Sequence, residues 1–165
     1  MITPVDIAVS QLGVKEATNR NDGVPSERYQ ENPYNPGQYR TVAWCALFVL
    51  WCYRVSSRGP IETREKEWWL WANVNNFRQA MDARGLFFDA DTPRFVPLPN
   101  DIIIMKGRGG SDAGPGGHMG LVTHLSGLDV MSIDGNWGHR VWRVRRPVGQ
   151  ADIAGYVRIP RPGAS

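Results

Sequence analysis

The chain has 165 residues and a formal net charge of +3, with an isoelectric point near 9.1. That length supports one domain with a real hydrophobic core, and no apolar run reaches the roughly eighteen residues a membrane-spanning helix needs. The mild basicity suits an anionic polymer (cell wall, lipid or nucleic acid) and selects none of them.

The start, MITPVDIAVSQLG (1–13), has neither the positive segment nor the small-residue cleavage site of a secretory signal. It reads as a helix. Thr3 can cap it, Pro4 suits its first position and Asp6 completes a capping box. Val5, Ala8, Val9 and Leu12 recur at helical spacing, and Gly13 closes the segment. With no signal peptide, work outside the cytoplasm requires delivery by another route.

Residues 18–42 are rich in Asn, Pro, Gly and Tyr and read as a long loop, with a short helix at 26–30. Residues 43–57 form the most apolar helix, ending near Gly59-Pro60. A further helix is predicted over 73–84, with Val74, Phe77 and Met81 on one face. After Pro99 the period changes from helix to strand. DIIIM (101–105), HMGLVTHL (118–125), DVMSIDG (129–135), RVWRVRR (140–146) and AGYVRI (154–159) read as strands. Helices first and strands second imply an α+β domain, N-terminal helices packed on a mostly antiparallel sheet, with no second domain over 1–165.

The only two cysteines, Cys45 and Cys52, share the apolar helix. Seven residues apart, they lie on nearly one face but about 10 Å apart along the axis, too far for a disulfide, whose Cα atoms lie within about 7 Å. They cannot share one zinc ion either. Cys52, two turns in among Phe48, Val49 and Trp51, reads as an inert core thiol. Cys45 stands where free N–H groups and the positive dipole end favour thiolate. Core packing explains it equally well unless it has a partner.

A reactive thiol wants an imidazole, and the imidazole an orienting group. The chain offers three histidines. His118 opens a strand after a glycine-rich loop; His124 has the same parity but lies about 20 Å along; His139 sits in a turn. Within SIDGN (132–136), Asp134 and Asn136 point one way and Ile133 the other if the segment is extended, while Asp-Gly-Asn is equally a turn signal.

Taken in order, AWCALFVLWC (43–52), PNDIIIMKG (99–107), GHMGLV (117–122) and IDGNWG (133–138) resemble the CHAP amidohydrolase/peptidase domains, part of the NlpC/P60 group of papain-like thiol hydrolases. GVKEATNRNDGVPSERY (13–29) is similar to the region before the cysteine in such domains. The resemblance implies a papain-like fold, Cys45 as nucleophile, His118 as base and an acid orienting it at Asp134, with Asn136 as a polar helper. Where the family more often has Glu, this chain has Asp134, one methylene shorter; where it has the glycine of its PGD motif, this chain has Asn100. Members cleave amide bonds of peptidoglycan, some as N-acetylmuramoyl-L-alanine amidases and others as endopeptidases, many of them in phage lysins. No cofactor or metal is needed for such chemistry. The implied partner is peptidoglycan, acted on by a monomer at the bacterial wall.

Other features carry less. NRNDG (19–23) has one carboxylate, Asp22, too few for a calcium loop, and reads as a turn. Trp44 and Trp137, beside the proposed cysteine and acid, are candidate substrate contacts. Trp68, Trp69 and Trp71 could line a groove but suit core packing. Arg140, Arg143, Arg145 and Arg146 could meet anionic wall polymers or form a solvated strand face. GGSDAG (109–114) falls short of a serine nucleophile elbow because Ala113 replaces its last glycine and no helix follows. The alternative to an enzyme is a non-catalytic wall-binding module with an idle thiol. A nucleic-acid binder lacks any recognised motif.

Overall fold

The computed structural model describes residues 1–61, 69–107 and 117–161, residues 24–26 by backbone only. Trp68 and the serine-bearing run 109–114 lie outside the described residues. The helices are α1 (Pro4–Ser10), α2 (Val24–Gln30), α3 (Cys45–Val55) and α4 (Val74–Asp82). The strands are β1 (Phe87–Asp89), β2 (Ile102–Met105), β3 (His118–Ser126), β4 (Asp129–Asp134), β5 (Trp142–Pro147) and β6 (Ile153–Val157).

Local chemistry explains the helix starts. Thr3 accepts from the Asp6 N–H while Asp6 reaches back to the Thr3 N–H, the expected capping box, with Pro4 beginning the helix. Asn73 accepts from the N–H groups of Asn75 and Asn76 at the start of α4. Helix α3 differs. Trp44 occupies its cap position without a side-chain bond, so its side chain satisfies none of the first N–H groups of α3. Every residue from Cys45 to Tyr53 is buried, so packing rather than amphipathicity holds this helix.

Among the described residues the strands form one antiparallel sheet in the order β1-β6-β2-β3-β4-β5. On one face Ile102, Ile104, Met119, Leu121 and Ile133 join the core of α3 and α1. On the other, Ile103, Val122, Val130 and Tyr156 form a second apolar cluster. Rung partners share a face, so Gly120 with Asp134 and Val122 with Ser132 lie on this second side.

Three expectations change. Val9 is exposed rather than part of the buried stripe of α1, which consists of Pro4 and Ala8. Strand β1 was not expected. A β-bulge between Val122 and His124 pairs His124 with Met131, so His124 faces away from the side of Asp134 and Ser132 and does not keep the parity of His118.

Two connections bring the N-terminal region to the sheet. Residues 13–16 bond to the segment before β5 through backbone groups (Gly13 N–H to Val141 O 3.1 Å, Val141 N–H to Val14 O 2.8 Å, Glu16 N–H to His139 O 3.0 Å). Asn100, with φ at +76°, adopts a left-handed turn that asparagine tolerates almost as well as glycine, and its Oδ1 accepts the Val5 N–H at 3.0 Å.

Candidate active site

Cys45 and His118 meet where α3 begins and β3 begins. The thiol hydrogen-bonds the imidazole, and the N–H groups of Met119 and Ala46 point at the sulfur. Gly117, at φ +86° with the Met105 carbonyl where a Cβ would stand, delivers His118 to the start of its strand. Cys45 is 6% exposed and His118 2%.

The other side of the imidazole is fixed by β4. His118 Nε2 lies 2.8 Å from Asp134 Oδ2, which leaves Nδ1 as the nitrogen for the thiol. Asp134 is fully buried. Its Oδ1 accepts from Ser132 Oγ at 2.6 Å and its Oδ2 also from Arg146 Nη2 at 2.6 Å. The carboxylate reaches across because Gly120, its rung partner, has no side chain: a Cβ there would stand 2.0 Å from Asp134 Oδ1.

These contacts set the charges. Burial pushes Asp134 up, but Arg146 and His118 hold it far below the usual carboxylate range. Burial pulls His118 down; the Cys45 sulfur and the bond to Asp134 outweigh it and raise it to about 10. Burial pushes Cys45 up as well, yet the His118 charge and hydrogen bond bring it net below its ordinary value. The favoured state is thiolate beside imidazolium. Cys52 is fully buried, pushed well above an ordinary thiol by burial, and both cysteines are free.

The remaining sequence-predicted residues divide. Trp137 lies against His118, ring centroids 5.4 Å apart at 61°, and is 37% exposed. Asn136 is not on the imidazole. It leaves the strand at φ +57°, and in the amide orientation that satisfies both ends it donates to Glu16 Oε1 at 3.0 Å and accepts the Trp44 N–H at 3.2 Å. Trp44, expected beside the substrate, is fully buried: its ring stacks on Tyr29 and its Nε1 donates to Glu16 at 2.7 Å. It has no face left for a ligand. His139 also turns to Glu16, 3.1 Å away. The Asp22 carboxylate closes a turn with Thr18, through its N–H at 2.9 Å and its hydroxyl at 2.6 Å. Trp71 packs in the core against Phe77.

Two residues escaped sequence reading. Glu16 is a lone acid in a polar loop, yet its buried carboxylate ties Trp44, His139 and the Asn21 N–H (3.0 Å) together. Arg146, read among four strand arginines, is 2% exposed and does not face the solvent with Arg143 and Arg145. Only the alternation of β5 signals it, and Val144 shares that alternation.

A family model described as the CHAP domain matches residues 35–136, more than half of the chain. No curated protein matches. The solved structure titled "The crystal structure of Ly7917" is 18% identical, with a TM-score of 0.34, over 40% of this chain and 29% of that one. The chain therefore spans less than a third of that protein, and a likeness of this size carries no argument.

Proposed function

The chain belongs to the CHAP domain family, and on that premise we propose that it is a thiol-dependent peptidoglycan hydrolase with Cys45 as nucleophile. The bond cut is the muramoyl–L-alanine amide or a peptide bond of the stem or cross-bridge of the bacterial wall, as for a phage lysin or a wall-targeting toxin. What supports the reading is one arrangement: a sulfur at an uncapped helix start, hydrogen-bonded to an imidazole whose far nitrogen rests on a buried carboxylate.

In this mechanism the Cys45 thiolate attacks the amide carbonyl carbon, and the carbonyl electrons move to oxygen. The Cys45 N–H at the start of α3 faces that oxyanion, a contribution of about 3 kcal/mol in comparable sites. The imidazolium of His118 passes its proton to the leaving nitrogen as the C–N bond breaks, leaving a thioester. His118, now neutral, takes a proton from water, which attacks the thioester and releases the acid and the thiolate. Asp134 holds the ring tautomer throughout.

Clearing of a bacterial wall suspension tests the reading. Wild type should clear it, Cys45→Ala should not while keeping its circular dichroism, and Cys52→Ser should keep most activity. Clearing by purified Cys45→Ala at the wild-type rate sinks the mechanism. Mass spectrometry of the digest then separates amidase from endopeptidase: a free muramic acid carboxyl marks the first.

A further inference from the structure

We propose that Arg146 is a positioning residue that sets the charge state of the site, its guanidinium holding Asp134 ionised and offsetting that charge so that Cys45 and His118 rest as an ion pair. The inference rests on the function proposed above and goes beyond it, to a residue outside the nucleophile, base and acid.

The geometry is that of a built charge site. Arg146 Nη1 donates to Ser132 Oγ at 2.8 Å and Nη2 to Asp134 Oδ2 at 2.6 Å. The Trp137 ring covers the guanidinium, its centroid 5.0 Å from Cζ. Asp134 Oδ2 is thereby shared between Arg146 and His118, and the salt-bridged side chains are 3% and 0% exposed. A thiolate, an imidazolium and a carboxylate buried together sum to −1; the guanidinium brings the cluster to zero. An uncompensated charge is costly in so dry a site. Trp137, which touches both His118 and Arg146, keeps water from one side of both cations.

Among the described residues the groups facing Arg146 are few. Asp134 and Ser132 come from β4, with His118 on β3 behind Asp134. Tyr156 comes from β6, its phenol raised by burial in spite of Arg146, so it stays neutral over the range concerned. Arg145 on the outer side is paired with Asp129, and Arg143 is exposed.

The sign of the effect separates charge from scaffolding. Removing a positive charge while the site stays intact makes every proton in the cluster harder to remove. The Cys45 thiol and the His118 imidazolium then both titrate at higher pH. Loosening of the site instead raises the thiol but lowers the imidazole, because each loses its partner.

The experiment uses the full chain as wild type, Arg146→Gln, which keeps donors without charge, and Arg146→Lys, which keeps charge. Two midpoints are read: alkylation of Cys45 by iodoacetamide against pH, resolved from Cys52 by peptide mass spectrometry, and the ring-proton resonance of His118. In Arg146→Gln both should rise by about one pH unit, so that alkylation is about tenfold slower on the acid limb. Arg146→Lys should stay within a few tenths of wild type. Opposite shifts in Arg146→Gln, or none, overturn the proposal. If that variant does not fold, Arg146→Lys decides alone: midpoints in place support it, and midpoints that move with the charge retained overturn it. A wild-type Cys45 no faster than a free thiol defeats the nucleophile assignment instead, whereas a fast wild type with unmoved variants defeats only the role of Arg146.

Discussion

His118 Nε2 and Asp134 Oδ2 lie 2.8 Å apart with side chains 3% and 0% exposed, and that same oxygen takes a second donor from Arg146. Asp134→Asn should therefore do two separable things. It removes the charge that orients the imidazole, with an expected loss of about 10²–10⁴ in wall hydrolysis. It also strands a buried guanidinium, with an expected loss of about 3–5 kcal/mol in stability by urea unfolding. Adding Arg146→Met should restore most of the stability and none of the activity. Recovery of activity in the double variant contradicts this division.

Stability against pH should carry opposed contributions from His118 and Cys45. His118, raised from 6.5 to about 10, contributes stability that is complete below 6.5 and lost as pH rises through its folded value. Cys45, lowered from 9.0, contributes stability that is complete above 9.0 and lost as pH falls through its folded value. Below 9.0, above 6.5 and above the folded value of Cys45, folded and unfolded chains hold one proton each on this pair, so the slopes cancel. Above 9.0 the unfolded pair holds none and stability falls. On the acid side the Cys45 contribution is lost as pH falls through its folded value, and Asp134, lowered from 3.8, adds its own loss at stronger acid. Urea midpoints across this range measure it. In Cys45→Ala the thiolate that raises His118 is gone, and the alkaline loss carried by His118 should begin at lower pH.

Gly120 gives a test by volume. A methyl group there would stand 2.0 Å from Asp134 Oδ1 and 2.6 Å from its Cγ, so Gly120→Ala must displace the carboxylate or the strand. The expected cost is about 1–3 kcal/mol by overpacking, with wall hydrolysis falling about as far as in Asp134→Asn. Unchanged hydrolysis in a folded Gly120→Ala shows that the Asp134 position does not matter to the reaction.

What the sequence makes legible is whatever a short window decides. The capping box of Thr3 and Asp6 and the run of Ile102 to Ile104 are local, and they stand where predicted. Strand β1 is three residues long, and only β6 pairs with it, so nothing near it in sequence marks it. The bulge at Val122 and His124 breaks a period that reads as continuous. Trp44 misleads by adjacency. Neighbours at a helix start point about 100° apart, so while Cys45 meets β3, Trp44 turns to Glu16 and Tyr29. The burial of Arg146 is decided by Asp134 on the adjacent strand, information that RVRR (143–146) does not contain.

Trp137 should act on substrate more than on the thiol. One part of its ring lies against His118, another covers Arg146, and 37% of the residue is open to solvent beside the site. The thiol and imidazole are meanwhile held by each other, by Asp134 and by the N–H of Met119. Trp137→Ala should therefore slow wall hydrolysis about tenfold, the equivalent of one well-packed aromatic contact, and Trp137→Phe should recover part of it. Alkylation of Cys45 by iodoacetamide, a reagent too small to need the wall-binding surface, should change by less than about threefold in both, because about 0.6 kcal/mol is all the ring then contributes to the resting ion pair. An equal fall in alkylation and hydrolysis would instead make Trp137 a support of the imidazole, and the substrate contact would have to be sought elsewhere along the mouth of the site.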